Sequence, residues 1–321
     1  MFLRNKGITE SYDDGPALWA NKRTMVYEPI DKATVFIGSS RIKYDLDIDT
    51  WKNITGDHPV QLAVEGHSPL PALYDLADDK NFKGRLIVDV TEGLFFSESP
   101  GAMQLITQNI KFHKNLTPAQ KVSFQLNKVV ESQFVFLDKD NFSLNAELDK
   151  LKIPSRPGVF MMPIFPLDFG RTTFDRQAMM TDKFVGDTNL HNRVKGIWYF
   201  FSQQPGPPPM NGAKLDSFLL SIKKAVDKIK TRGGQVLFVR TPSSGGYWQA
   251  EQMGFPREKY WNKLLETTGC PGIHFKDYPS MADFICPELS HLTPADAVLF
   301  TRAFIKILSQ EKGWKFSKIP G

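Results

Sequence analysis

The sequence predicts an α/β protein: a three-layer α/β/α sandwich on a five-stranded, mostly parallel sheet, with a helical insertion. Three observations carry this. Short apolar runs recur along the chain, several ending in Gly, Thr or Ser, as strands buried on both faces of a parallel sheet do. Stretches of helical period separate them. One long stretch, 97–211, breaks the alternation and reads as a mostly helical insertion or cap.

The strand signals come at 34–38 (TVFIG), 60–64 (VQLAV), 85–91 (RLIVDVT), 235–240 (QVLFVR) and 272–276 (GIHFK). A helix is expected over 69–77, where Leu70, Leu73 and Leu76 form one stripe. A clearer one covers 215–230, with Leu215, Phe218, Leu219, Ile222, Val226 and Ile229 on one face and Gly233-Gly234 as its stop. Another spans about 259–266. The last opens at Thr293-Pro294-Ala295-Asp296: Thr is a good N-cap, Pro a good first residue, and Asp sits where a capping carboxylate would. Within the insertion, helices are expected near 103–114, 118–130 and 144–150. A Pro- and Met-rich stretch, 153–169, follows them, and Pro205-Gly206-Pro207-Pro208-Pro209 reads as a stiff connector. The domain reading is an N-terminal tail over 1–30 and a single domain over 31–321.

The chain has 321 residues, 41% of them hydrophobic, enough for a full-sized core. Its net charge of +5 comes from 40 basic and 35 acidic residues. Most lysines alternate with Asp and Glu, which describes a solvated surface rather than the clustered face a nucleic-acid partner needs. No apolar run approaches the roughly 20 residues of a membrane helix, and Met1-Phe2-Leu3-Arg4 is too short for a signal core. Two readings stay open: a cytoplasmic protein, or one whose N-terminal anchor precedes the given sequence, with 5–23 as the tail behind it. Cys270 and Cys286 flank the last strand and the segment that follows it. They are either two buried thiols or, in an exported protein, a bridge. Neither C-x-x-C nor zinc-ligand spacing is present, so no metal is implied.

The residues with chemistry cluster at strand ends. The first strand runs into Gly38-Ser39-Ser40-Arg41, which puts a serine on the rim where open α/β sheets bind ligands. Glu288-Leu289-Ser290-His291 sits just before the capped last helix. A carboxylate three residues before a histidine can fix its tautomer, leaving the other ring nitrogen to take a proton from a serine hydroxyl. His67 and Arg41 stand at the same rim, as does Arg240 at the end of the fourth strand. Each is either a substrate contact or a local structural group. The loop Thr241 to Trp248 brings aromatics there too. His58, His113 and His274 have no sequence partner and are given no role.

With these blocks in order, the chain resembles the SGNH (GDSL-like) hydrolase superfamily. It is most similar to the branch with G-S-S-R in place of G-D-S, often membrane-anchored and found with polysaccharide O-acylation systems. Ser40 matches the nucleophile, with Ser39 where Asp is usual. Gly66, in Ala63-Val64-Glu65-Gly66-His67-Ser68, matches the second block, and Glu288 with His291 matches the last. The third block departs: Glu92, in Val90-Thr91-Glu92-Gly93, falls where the family has an oxyanion-binding Asn. An ionised carboxylate cannot donate to an oxyanion. Either Thr91 or a backbone N–H takes that part, or Glu92 is protonated, or it points away.

The resemblance implies a flavodoxin-like SGNH fold. It implies a serine esterase or O-acyltransferase acting on acyl, especially acetyl, esters of a carbohydrate. Ser40 would be the nucleophile, His291 its base, and Glu288 the orienting carboxylate. The oxyanion would rest on Ser40, Gly66 and Thr91, with Arg41, His67, Glu92 and Arg240 as substrate-binding candidates. The alternative is a non-catalytic carbohydrate-binding or scaffold partner of a membrane O-acyltransferase. No cofactor is implied, and the expected location is extracytoplasmic.

Overall fold

The computed structural model describes residues 3, 10–29, 32–149, 151, 162–204 and 208–319. In chain order the main elements are α1 (Pro16–Arg23), β1 (Ala33–Ile37), α2 (Ser40–Asp45), α3 (Ile48–Thr55), β2 (His58–Gln61), α4 (Leu70–Asp78) and β3 (Arg85–Asp89). The segment after β3 carries α5 (Pro100–Lys114), α6 (Pro118–Gln133), a two-stranded hairpin β4 (Arg171–Thr172) and β5 (Ala178–Met179), and α7 (Thr188–Ser202). The chain closes with α8 (Gly212–Thr231), β6 (Gln235–Arg240), α9 (Gly245–Gly254), α10 (Lys263–Thr268), β7 (Gly272–His274) and α11 (Pro294–Gln310).

The five-stranded sheet is parallel throughout, in the order β2-β1-β3-β6-β7. Val35 of β1 stands opposite Val60 and Leu86, and Ile87 of β3 opposite Leu237. Side chains alternate between two cores, as a strand's period of two requires. Val35, Ile37, Leu86, Val88 and Phe238 face α4 and α8, with Leu73, Leu219 and Ile222. Phe36, Ile87, Leu237, Val239 and Ile273 face α3 and α11, with Trp51, Phe300 and Phe304. Both faces are covered, so these strands read as continuous apolar runs. The order reverses between β1 and β3. Ligands bind outside the carboxyl ends of strands at such a switch point.

Residues 16–27, read from sequence as part of a tail, belong to the folded body. The Trp19 side chain is fully buried and donates from Nε1 to the Leu62 carbonyl (3.0 Å). Arg23 is buried against Asp75 at 2.9 Å and Asp79 at 2.8 Å. The cysteines are unbridged: Cys270 lies in one core and Cys286 in the other, both as buried free thiols. The helices at Pro100–Lys114, Pro118–Gln133 and Leu144–Asp149 fall where the insertion was expected to be helical. The hairpin and α7 have no counterpart in the sequence reading. The expected stretch 153–169 is described only from 162, and Pro205, Gly206 and Pro207 lie outside the described residues. No helix among the described residues is long and apolar enough to cross a membrane.

Candidate active site

The site begins where β1 ends. A Cβ on Gly38 would lie 2.6 Å from Asp89 Cβ and 2.7 Å from Ile42 Cγ2, so only glycine lets β1 and β3 approach this closely here. Ser39 is buried and extended, its Oγ 2.8 Å from Thr91 Oγ1. Thr91 gives its hydroxyl proton to Asp89 Oδ2 (3.0 Å), which makes Ser39 the donor to Thr91. Thr241 donates to the other Asp89 oxygen (3.0 Å). This chain of hydroxyls ties the ends of β1, β3 and β6 around one buried carboxylate. Burial pushes the Asp89 carboxyl up, against the pull of Arg41 and the two threonines. Ser40 is the first residue of α2 and is half-buried.

His291 comes to this helix from the far end of the chain. Its Nδ1 lies 2.9 Å from Glu288 Oε1, and both side chains are essentially buried. Glu288 Oε1 also accepts from the backbone N–H of His291 (2.6 Å) and Ser290 (3.2 Å), while Oε2 accepts from Trp198 Nε1 (2.5 Å). Leu289, at φ +84°, makes the left-handed turn that folds the carboxylate back onto these donors. Burial pushes the Glu288 carboxyl up, but His291 and the converging hydrogen bonds hold it below the usual carboxylate range. An ionised carboxylate at Nδ1 selects the tautomer with the proton there and leaves Nε2 as an acceptor. That Nε2 is buried and hydrogen-bonds to nothing among the described residues, Ser40 included.

Three contacts fasten the histidine segment to α2. Arg41 Nε donates to Ser290 Oγ (3.2 Å), the Tyr44 ring lies 4.6 Å from the imidazole, and Asp45 Oδ1 accepts from Leu292 N–H (2.9 Å). The second block joins them. Val64 N–H donates to the Gly38 carbonyl (3.2 Å), and His67 N–H to the Val64 carbonyl (3.2 Å). This closes an exposed turn in which Gly66 takes φ +68°. Lys43 of α2 holds Glu65 of that turn at 2.9 Å. His67 is half-buried, its Nδ1 2.7 Å from the Glu65 carbonyl. Ser40, Gly66, Glu288 and His291 therefore share one rim.

The other candidates sit deeper. Arg41 and Arg240 are fully buried and share Glu251, at 2.5 Å to Oε1 and 2.5 Å to Oε2 respectively. Arg240 Nε also donates to Glu92 Oε1 (2.9 Å). Two guanidiniums and two carboxylates balance, and nearby rings cover them: Tyr247 over Arg41, Trp248 and Phe275 over Arg240. Burial pushes Glu251 up, yet the two arginines pull it below its usual value. For Glu92, burial prevails over Arg240 and the carboxyl is raised. Glu92 thus points into this network, and the Thr91 hydroxyl proton is committed to Asp89.

Sequence reasoning missed Glu251 and Trp198. Trp198 is 90 residues from Glu288, and Glu251, though 11 residues from Arg240, is 210 from Arg41. The only trace of Trp198 is the aromatic run Trp198-Tyr199-Phe200-Phe201 on α7. Among the described residues, no group of three or more His, Cys, Asp or Glu side chains is placed to hold a metal ion. No family model matches the chain, and no curated protein matches it.

Proposed function

We propose that this protein is a serine acyl-ester enzyme of the SGNH type, a hydrolase or O-acyltransferase, with Ser40 as nucleophile and His291 as base. The observation that carries the reading is the Glu288–His291 pair. It is oriented with Nε2 as the acceptor and is pinned to the helix whose first residue is Ser40, at the sheet's switch point. In the first step Ser40 Oγ attacks the acyl carbonyl and its proton passes to His291 Nε2. The backbone N–H groups of Ser40 and Gly66 receive the oxyanion. The intermediate collapses, the alcohol leaves with the proton from His291, and an acyl-Ser40 ester remains. Water or an acceptor hydroxyl then attacks that ester, its proton going to His291, and Ser40 is regenerated. Glu288 stays ionised throughout and stabilises the imidazolium.

The carbohydrate acyl ester as substrate, a membrane acyltransferase as partner and an extracytoplasmic location rest on the resemblance of the Ser40, Gly66 and Glu288–His291 blocks. Hydrolysis of an aryl acetate tests the reaction. Wild type should turn over, and Ser40→Ala and His291→Ala should each lose on the order of a thousandfold or more. Equal rates for all three proteins would end the serine mechanism. A second reading, a carbohydrate-binding scaffold, draws on the unpaired His291 Nε2 and the missing side-chain oxyanion donor. It predicts oligosaccharide binding that survives Ser40→Ala, with no turnover by wild type.

A further inference from the structure

Helix α6 wears its apolar stripe on the outside. It has no buried residue. Val122, Leu126, Val129 and Val130 recur at helical spacing on one side and are 61%, 64%, 62% and 41% exposed. Phe134 and Phe136, directly after the helix, are also exposed and pack on each other at 5.6 Å. An ordinary surface helix turns such a stripe inward. Here the inward side carries Gln120, Phe124 and Glu131, which line a cavity against Tyr12 and Phe174. Among the described residues nothing covers the stripe, which stands open to a partner.

Charge identifies that partner. Over 118–136 Lys121 and Lys128 stand against Glu131 alone, and α5 adds Lys111 and Lys114 with neither Asp nor Glu, against the interleaved pattern elsewhere. Lys114 is paired with Asp75 (2.8 Å), and Lys128 lies over the Phe174 ring (4.0 Å). Lys111 and Lys121 are exposed. A second copy seated on the stripe would meet these lysines with its own. An anionic headgroup layer meets them with opposite charge and takes the valines, leucine and phenylalanines into the boundary below.

We propose that α6, with Phe134 and Phe136, is a lipid-docking face that seats the protein on an anionic membrane surface. This face is independent of the chemistry at Ser40, and its loss leaves hydrolysis of a soluble aryl ester untouched.

Flotation of the full chain with lipid vesicles tests it. Vesicles of equal phosphatidylglycerol and phosphatidylcholine should carry the protein up, with at least tenfold tighter binding than phosphatidylcholine alone, since each lysine near the surface contributes about fivefold. Salt should weaken the binding. Leu126→Asp should abolish it and Leu126→Met should keep it, with both variants matching wild type in thermal unfolding. Lys121→Glu should weaken binding to the anionic vesicles only. Binding by Leu126→Asp equal to wild type would overturn the proposal, as would failure of wild type to float. So would a wild-type dimer in light scattering that Leu126→Asp dissociates without any vesicle binding, which would assign the stripe to a second copy.

Discussion

Acid should destabilise this fold through His274, at the C-terminal end of β7. Its side chain is 2% exposed. It stacks on Phe275 at 5.3 Å and meets Trp248 and Trp261 edge-on, while Nδ1 accepts from Lys276 N–H. Burial, and then the charges of Arg240 and Arg257, push its pKa down to about 3. In the unfolded chain an imidazole titrates near 6.5. Between these two values the unfolded chain holds a proton that the folded chain refuses. Stability is therefore complete above about pH 6.5 and falls as pH drops toward 3. Each pH unit removes about 1.4 kcal/mol, so roughly 3 kcal/mol is gone by about pH 4. His274→Phe keeps a ring and removes the titration. It also costs about 1 kcal/mol at every pH, because Lys276 N–H loses its acceptor. Urea unfolding of both proteins at neutral pH and at about pH 4 should show wild type losing about 3 kcal/mol more than the variant. Parallel losses in the two proteins would refute the reasoning, since every other titrating group is common to both.

Three further outcomes follow from the site. Gly38→Ala forces a Cβ against Asp89 and Ile42 and should lower stability by about 1–3 kcal/mol in thermal unfolding, with loss of the proposed aryl-acetate hydrolysis. Trp198→Phe keeps the packing but removes the donor to Glu288 Oε2; turnover of an aryl acetate should fall about tenfold or more with KM little changed. Arg240→Met strands the buried Glu92 carboxylate and leaves Glu251 with Arg41 alone, and should cost about 3–5 kcal/mol in urea unfolding. Adding Glu92→Gln to that variant should recover part of the loss, because a neutral amide tolerates burial better.

Where a residue's partners lie close in the chain, sequence pattern was enough to place it. The parallel strands stand out because burial on both faces makes them unbroken apolar runs. The expected strand 60–64 overshoots the assigned β2, yet Leu62 N–H and Val64 N–H still bond to Phe36 and Gly38 carbonyls, so the ladder continues into that stretch. Glu288 and His291 are three residues apart before a helix whose Thr293 cap bonds Asp296 N–H at 3.1 Å, and both features are local. The Arg41–Glu251–Arg240–Glu92 network joins segments up to 210 residues apart, and no local period marks it. Arg176 is hidden for another reason. Its hairpin has strands of two residues, too short to show alternation, yet it sends a fully buried guanidinium to the Gln61 carbonyl (2.9 Å) and to Asp14 (2.5 Å). The outward stripe of α6 has the periodicity of an ordinary amphipathic helix, and only the fold reveals which side faces the body.

Ser40 is proposed to be a nucleophile activated by His291. The most direct measurement is covalent labelling by a fluorophosphonate, read by intact mass and peptide mapping. It needs no natural substrate, acceptor or partner. A single adduct is expected on Ser40, absent in Ser40→Ala and slowed by orders of magnitude in His291→Ala. Wild type that stays unlabelled while folded, or labels at the same rate in His291→Ala, would contradict it.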